Sequence, residues 1–278
     1  MTARTVLEVS GLTVQATGRA VGTTLVHGID WHLEAGETLG IVGESGSGKS
    51  LTLRAVASLL PDGVRQSGGT VRTDLDGGGL REAGRSALGN GVAMVFQEPM
   101  TSLNPTMRIG DLITIGPRSA GRLGKAEARE RSLQLLREVG VPDAERRLTA
   151  WPHELSGGLR QRVMIAMALA TEPRILLCDE PTTALDVSVQ DQVLRLLLSL
   201  QQSRSLSLVL VTHDLAVVGQ MCDRVLVMNH GRIVESGPTA QVLHDPQHAY
   251  TRQLLERSEE HTSELQSHSD LVCRLLLE

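Results

Sequence analysis

Eight residues near the start of the chain have the spacing of a phosphate-binding loop, G-x-x-x-x-G-K-[ST]. The glycines let the backbone curl so that successive N–H groups point toward one anion. Lys49 can reach the β- and γ-phosphates of a nucleotide, and the hydroxyl of Ser50 can ligate Mg²⁺. The sequence therefore predicts a nucleotide-binding segment made of Gly43, Glu44, Ser45, Gly46, Ser47, Gly48, Lys49, Ser50 and Leu51.

A second set of candidate residues follows a strongly apolar run later in the chain. Residues 175–178 read Ile-Leu-Leu-Cys, and Asp179 and Glu180 follow them directly. Two neighbouring carboxylates at the end of a strand repel each other unless a cation lies between or near them. The pair therefore indicates a metal site rather than a structural role. We expect Asp179 to hold Mg²⁺, usually through water, and Glu180 to act as a catalytic residue that polarises the attacking water.

Two polar residues follow other predicted strands and extend this candidate site. Gln97 comes after the run 92–96, and its amide oxygen could ligate Mg²⁺ or orient water. His213 closely follows the run 206–211 and could donate a hydrogen bond to a γ-phosphate. Taken alone, each is more commonly an ordinary surface or loop residue. Because the carboxyl ends of parallel strands meet at one edge of a sheet, we predict catalytic roles for both.

A serine and two glycines form a second candidate anion site between these segments. Ser156 suits the N-cap of a helix, and Gly157 and Gly158 leave backbone N–H groups exposed where that helix begins. The apolar run 163–170 continues the helix. Taken alone, the pattern favours an ordinary capped helix over an anion site.

The candidate residues stand at the ends of a regular series of predicted elements. Strand 38–42 precedes the phosphate loop, and a helix over 51–60, stopped by Pro61, follows it. Residues 62–91 are rich in Gly and Arg and read as loops and short strands. Further elements are predicted as strands at 92–96, 175–179, 206–211, 224–228 and 232–235, helices at 125–139, 187–200, 239–243 and 248–256, and an antiparallel layer from 6–9, 12–14 and 29–33. This order predicts an α/β fold.

Composition and charge restrict the class of protein. A chain of 278 residues with a net charge of −5 fits one large α/β domain, or a domain with an appendage, and does not indicate a nucleic-acid partner. The apolar runs are shorter than the ~18 residues that span a bilayer, and the first residues do not read as a secretory signal. The three cysteines lack metal or disulfide spacing, which fits a reducing cytosol.

Taken together, the ordered motifs resemble the ATP-binding subunit of ABC transporters over roughly residues 5–256. The resemblance rests on residues 43–50, Gln97, residues 155–158, Asp179 with Glu180, Asp186 and His213. Longer segments are similar to the importer subfamily for oligopeptides, dipeptides and nickel, namely residues 96–105, 152–158, 182–187 and 248–252. Leu159 departs from the glutamine of the wider superfamily, although apolar residues are familiar there in this subfamily.

This resemblance implies both a fold and a way of using two subunits. The implied fold is a P-loop NTPase of the ABC type, with a mainly parallel core sheet, an antiparallel β subdomain and a helical subdomain at about residues 100–170. Two such subunits sandwich two ATP molecules with Mg²⁺, head to tail. A signature segment then acts in trans on the nucleotide of the other subunit, and it is made of Leu155, Ser156, Gly157, Gly158 and Leu159. Asp186 belongs to the loop at the dimer interface.

The implied activity is ATP hydrolysis coupled to solute import, with di- or oligopeptides as the first candidate solutes. The implied partners are two membrane permease subunits, a second ATP-binding subunit that is identical or homologous, and an extracytoplasmic solute-binding protein, without nucleic acid. The implied location is peripheral, on the cytoplasmic face of the cell membrane. Import of nickel or another small solute remains an alternative, as does a non-transport ABC-type ATPase, although the chain has one cassette and no heptad run. Glu180 and His213 argue against a non-hydrolysing regulatory subunit.

The last residues differ in character from the rest of the chain. Residues 257–268 read like the conceptual translation of a sequencing-library adapter, and residues 271–278 match its continuation. We therefore expect one domain over residues 5–256 and a non-native tail over residues 257–278. The alternative is an amphipathic tail helix that uses Leu271, Leu275 and Leu276.

Overall fold

A computed structural model gives the structure of residues 4–17, 22–84, 87–98, 102–183 and 185–257. Its strands are β1 (Thr5–Ala16), β2 (Thr24–Glu34), β3 (Thr38–Val42), β4 (Val64–Thr73), β5 (Arg81–Glu82), β6 (Val92–Val95), β7 (Ile175–Asp179), β8 (Ser207–Thr212), β9 (Arg224–Asn229) and β10 (Arg232–Pro238). Its helices are α1 (Lys49–Val56), α2 (Ile109–Ile113), α3 (Ile115–Ser119), α4 (Lys125–Glu138), α5 (Ala144–Arg147), α6 (Gly157–Leu169), α7 (Val187–Arg204), α8 (Leu215–Met221), α9 (Thr239–His244) and α10 (249–257).

The described strands form two sheets of different type. The central sheet has the order β10-β9-β3-β8-β7-β6, in which β9 to β6 run parallel and β10 pairs antiparallel with β9. The second sheet is antiparallel throughout, in the order β2-β1-β4-β5. The predicted α/β fold, with a mainly parallel core sheet, an antiparallel layer and helical elements, is confirmed.

The central strands are buried on both faces because each face has its own apolar layer. In β8, Leu208 and Leu210 pack on the side of the helices, whereas Val209 and Val211 pack toward the antiparallel sheet and α1. Successive side chains of a strand point to opposite faces, so a strand between two layers must be apolar throughout. Each such buried side chain contributes about 1.5–3 kcal/mol. This packing fixes the strand ends that carry the candidate site.

Helices α2 to α6 lie between β6 and β7 in the chain, where the sequence predicts a helical subdomain. Ser132 of α4 donates its hydroxyl to the carbonyl of Gly110 in α2 at 2.7 Å. Arg204, at the end of α7, donates two hydrogen bonds to the carboxylate of Glu138 at the end of α4, at 2.5 and 2.6 Å. These contacts fasten α4 to α2 on one side and to α7 on the other.

The helix after the phosphate loop and the segment 62–91 differ from what the sequence predicts. Helix α1 begins at Lys49, inside the phosphate-loop motif, and ends at Val56 rather than at residue 60. Ser58 has a left-handed φ of 56°, and this turns the chain before Pro61. Residues 62–91 contain the ten-residue strand β4, not only loops and short strands. Its register against β1 shifts near Gly68, and such an irregularity hides a strand from period-two alternation.

Some predicted segments lie outside the described residues. They include residues 258–278 of the expected non-native tail, residues 99–101 and residue 184. The limits of the helical subdomain and of the native domain therefore stay predictions.

Candidate nucleotide-binding and catalytic site

The phosphate loop joins the end of β3 to the start of α1, as the sequence predicts. Lys49 is 4% exposed, and its ammonium donates to the carbonyls of Gly43 at 2.7 Å and Glu44 at 2.9 Å. Burial lowers the pKa of Lys49, while the nearby carboxylates of Glu180 and Asp179 oppose that shift. The phosphate loop thus holds the buried ammonium of Lys49 near the carboxylates of Asp179 and Glu180.

The β9–β10 turn supports this loop from behind. A Cβ atom added to Gly43, whose φ is 153°, would lie 2.2 Å from the carbonyl oxygen of Met228. The N–H of Gly231 donates to the carbonyl of Ser47 at 2.9 Å, and the N–H of His27 donates to the carbonyl of Gly231 at 2.9 Å. The phosphate loop therefore packs directly against the backbone of Met228 and Gly231, and only glycine fits at position 43.

The serine of the loop contacts the first acid of the predicted metal site. Asp179 ends β7 with no exposed surface, and the hydroxyl of Ser50 donates to its Oδ1 atom at 2.7 Å. Its Oδ2 atom is buried without a hydrogen-bond partner, 3.7 Å from Nε of Arg54. Burial raises the pKa of Asp179, and the Ser50 and Arg54 contacts oppose that shift. Arg54 was not among the predicted site residues.

This donor set fits Mg²⁺. Mg²⁺ prefers oxygen ligands and usually takes only one or two carboxylates, with substrate phosphates and water completing its shell. Ser50 and Asp179 supply a hydroxyl and a carboxylate with an unpartnered buried oxygen. In the described part of the chain, no cluster of three or more His, Cys, Asp or Glu could hold a metal by itself. A metal here would therefore rely on phosphate oxygens and water for most of its ligands.

The ends of β6, β7 and β8 converge on the carboxylate of Glu180. Its Oε2 atom accepts hydrogen bonds from the amide of Gln97 at 3.1 Å and the hydroxyl of Thr183 at 2.8 Å. Nδ1 of His213 lies 3.5 Å from the same oxygen. The sequence predicts that Gln97, Glu180 and His213 meet at this edge, and the structure brings them together. Gln97 turns its amide nitrogen toward Glu180, whereas the prediction used its amide oxygen.

The conformation and charge of Glu180 set it apart from a structural acid. Its φ is 45°, a strained value for a residue with a side chain. The nearby imidazole of His213 lowers the pKa of Glu180, burial opposes this, and the hydrogen bond from Thr183 adds to the lowering. Conversely, Glu180 raises the pKa of His213. The carboxylate is thus ionised at neutral pH, which a water-polarising group requires.

The predicted signature segment begins helix α6. The hydroxyl of Ser156 accepts the N–H of Leu159 at 3.5 Å, and Ser156 and Gly157 are exposed whereas Leu155 is buried. A Cβ atom on Gly158 would lie 2.4 Å from Cγ1 of Val189, so only glycine lets α6 approach α7 this closely. No hydrogen bond between described residues joins residues 155–159 to residues 43–51 of the same chain.

The loop before α7 lies beside this segment. Asp186 caps α7 by accepting the N–H of Val189 at 2.9 Å. A Cβ atom on Gly157 would lie 3.5 Å from the side chain of Leu185, and Val187 is 81% exposed. The start of α6 and the loop before α7 therefore lie side by side at the surface.

Comparison with known proteins agrees with this geometry. Residues 26–183, more than half of the chain, match the ABC transporter family. The chain is 45% identical to the probable peptide ABC transporter ATP-binding protein y4tR of Sinorhizobium fredii, over 90% of this chain and 75% of that protein. It is 45% identical to the oligopeptide transport ATP-binding protein OppD of Bacillus subtilis, over 90% of this chain and 70% of that protein.

Two solved structures share the fold. One is cbiO1 of Clostridium perfringens, part of the ABC transporter complex cbiONQ, with a TM-score of 0.72, 28% identity and coverage of 87% of this chain and 92% of that one. The other is the ATP-binding cassette MJ0796 as a post-hydrolysis dimer bound to ADP and Pi, with a TM-score of 0.71, 26% identity and coverage of 84% and 98%.

The fold and the site thus define an ATP-binding cassette. The chain belongs to the ABC transporter family, and it is an ATPase of that family. In the described residues, no helix is both long and apolar enough to cross a membrane.

Proposed function

We propose that the chain is the ATP-hydrolysing subunit of an importer for di- or oligopeptides. The observation that carries this proposal is the meeting of the phosphate loop with the ends of β6, β7 and β8, where Lys49, Ser50, Asp179 and Glu180 form one site. The solute class is supported by the names of the relatives, which include the dipeptide transport ATP-binding protein DppD of Haemophilus influenzae, at 44% identity.

The side chains of the site have distinct roles in this proposal. Lys49 and backbone amides within residues 43–51 bind the phosphates of ATP, while Ser50, Asp179 and Gln97 would hold Mg²⁺. When bound, Mg²⁺ neutralises charge that develops on the phosphates. Glu180 holds the attacking water through its carboxylate and accepts a proton, and His213 donates to the γ-phosphate. Thr183 fixes the Glu180 carboxylate through its 2.8 Å hydrogen bond.

The signature segment completes the site of a second subunit. Ser156 and Gly157 at the start of α6 are exposed, as is Val187 at the start of α7, and no hydrogen bond between described residues joins residues 155–159 to the phosphate loop of the same chain. The 13-residue helix α6 offers free N–H donors and the positive end of its dipole to a phosphate at its N-terminus. We therefore assign this surface to a head-to-tail dimer with an identical or related ATP-binding subunit, in which Asp186 lies at the interface.

Ser156 gives a test of this arrangement. Replacing it with arginine is expected to leave the affinity of one chain for a fluorescent ATP analogue within about twofold, because the loop is untouched. Steady-state hydrolysis should fall about 100-fold, since a transition-state donor is lost and the interface is blocked. Size-exclusion chromatography with Mg-ATP checks whether the interface is blocked, because the variant should then remain monomeric. Nucleotide affinity that falls together with hydrolysis would contradict action in trans.

An apolar cavity suggests where a permease subunit docks. It has a volume of about 310 Å³ and is lined by Phe96, Ile115, Met164 and Met167, of which Ile115 is 41% exposed. Phe96 directly precedes Gln97, whose amide contacts the catalytic carboxylate. An apolar segment of a permease in this cavity would therefore be joined to the Glu180 carboxylate through two consecutive residues, Phe96 and Gln97. Two permeases and an extracytoplasmic solute-binding protein would complete the importer, with the chain on the cytoplasmic face of the membrane.

Reconstitution tests the proposed solute. The chain, a second ATP-binding subunit and two permease subunits would be reconstituted in vesicles with the solute-binding protein. ATP-driven uptake of a labelled dipeptide would then be compared with uptake of Ni²⁺. Dipeptide uptake that requires ATP is the expected result. Uptake of Ni²⁺ without uptake of dipeptide would show that the proposed solute is wrong and would leave the ATPase role intact. An ATP hydrolysis rate that does not change when the permeases are added would contradict the transport function.

A further inference from the structure

Residues 248–252 form a motif whose sequence suggests no role, and the structure ties it to the phosphate loop. The hydroxyl of Tyr250 accepts a hydrogen bond from the N–H of Glu44 at 3.0 Å. Tyr250 is half-buried and packs against the main apolar core, and burial raises the pKa of its phenol. The contact joins helix α10 to the second residue of the loop, 206 positions earlier in the chain.

The peptide group that Tyr250 contacts is the one that Lys49 also contacts. The N–H of the Gly43–Glu44 peptide donates to Tyr250, and the carbonyl of the same peptide accepts from the Lys49 ammonium at 2.7 Å. Hydrogen bonds at both ends of one peptide polarise it and strengthen each other. The orientation of this peptide, and with it the position of the ammonium, therefore depends on a residue outside the loop.

The remainder of the motif fixes where Tyr250 stands. The carboxylate of Glu235 in β10 accepts the N–H groups of Gln247 at 2.7 Å and His248 at 3.1 Å. Nδ1 of His248 accepts the N–H of Tyr250 at 3.1 Å. Arg252 donates to the carbonyl of Pro246 at 2.9 Å. The start of α10 is thus bound to β10 of the central sheet. The hydroxyl of Tyr250 can therefore hold the phosphate loop, which follows β3 of the same sheet.

We propose that Tyr250 is a positioning residue that holds the Gly43–Glu44 peptide in its phosphate-binding orientation and thereby sets the affinity for nucleotide. The inference rests on the proposed assignment of residues 43–51 as the nucleotide site. Arg257 also forms an ion pair with the Glu44 carboxylate. Because residue 257 opens the segment that we expect to be non-native, the proposal depends on Tyr250 alone.

The test removes one oxygen atom. Tyr250→Phe keeps the ring in the core and leaves the N–H of Glu44 without its partner. The dissociation constant for a fluorescent ATP analogue, and the KM for ATP, are expected to rise about three- to tenfold, the usual effect of one uncharged hydrogen bond. The kcat should stay within about twofold, because Tyr250 does not contact the catalytic carboxylate. An unchanged dissociation constant would overturn the proposal.

Leu254→Ala separates positioning from a general loss of packing. Leu254 is buried one turn further along α10, so its truncation should lower the Tm without raising the KM. Equal increases in KM for both variants would show that the helix acts only as structural support, and the proposal would fail.

The chain has a single tyrosine, so 3-fluorotyrosine labelling gives one ¹⁹F resonance that reports on Tyr250. This resonance should shift when Mg-ATP is added, and a resonance indifferent to nucleotide would contradict the proposed link between Tyr250 and nucleotide binding. The variant Lys49→Ala tests separately whether residues 43–51 are the nucleotide site. If that variant binds nucleotide normally, the proposed nucleotide site is wrong. If it loses binding while Tyr250→Phe keeps it, only the role of Tyr250 is wrong.

Discussion

Glutamine in place of Glu180 is expected to lower steady-state ATP hydrolysis by about 100- to 10,000-fold, the range that a positioned general base contributes. Nucleotide should still bind, because the phosphate loop and Asp179 are unchanged. Glutamine has the same shape, and its amide oxygen can still accept from Thr183. It cannot take a proton from water, and it loses the charge that attracts His213. The variant should therefore collect in the ATP-bound, dimeric state.

Two measurements follow this variant. Phosphate release under steady-state conditions gives the loss of turnover, and size-exclusion chromatography with Mg-ATP should show a long-lived dimer. Glu130→Gln is the matched control, since it makes the same chemical change on the exposed side of α4 and should behave as wild type. Hydrolysis at the wild-type rate in the Glu180 variant would remove this residue from the mechanism.

The central sheet and the residues at its edge could be predicted because each depends on a local pattern. The strands β3, β7 and β8 are short runs of consecutive apolar residues, which is what burial between two layers requires. A polar residue that follows such a run must lie at the edge of a parallel sheet. Gln97, Glu180 and His213 could therefore be placed together before any contact was known.

The contacts that tune the site could not be predicted, because they join residues with no shared pattern. Arg54 lies beside Asp179 only because α1 crosses the end of β7, and Tyr250 meets Glu44 across 206 positions. Thr183 offered a weak signal, since it stands three residues after Glu180 in a turn. Strand β4 was missed for a different reason: Gly68 and Gly69 have low strand propensity, and their place is set by the approach of β1.

Replacing Lys49 with alanine is expected to weaken ATP binding and hydrolysis by about 100-fold or more. The ammonium is a buried charge that would face the β- and γ-phosphates, and hydrogen bonds to charged groups contribute about 1.5–3 kcal/mol each. Without it, the phosphates would lie close to the carboxylates of Asp179 and Glu180 with no fixed cation. The carbonyls of Gly43 and Glu44 would also lose their donor.

The composition of the chain makes this experiment unusually clean. Lys49 and Lys125 are its only lysines, so Lys125→Ala, on the exposed start of α4, is a matched control that should bind as wild type. In a Lys125→Arg background, Lys49 is the one remaining side-chain amine. Peptide mapping then separates the labelling of Lys49 by an amine-directed reagent from that of the N-terminal α-amine. Because burial lowers its pKa, Lys49 should be uncharged and reactive at a lower pH than an exposed lysine. Mg-ATP should slow that reaction by covering the amine, and labelling that ignores nucleotide would contradict a phosphate contact at Lys49.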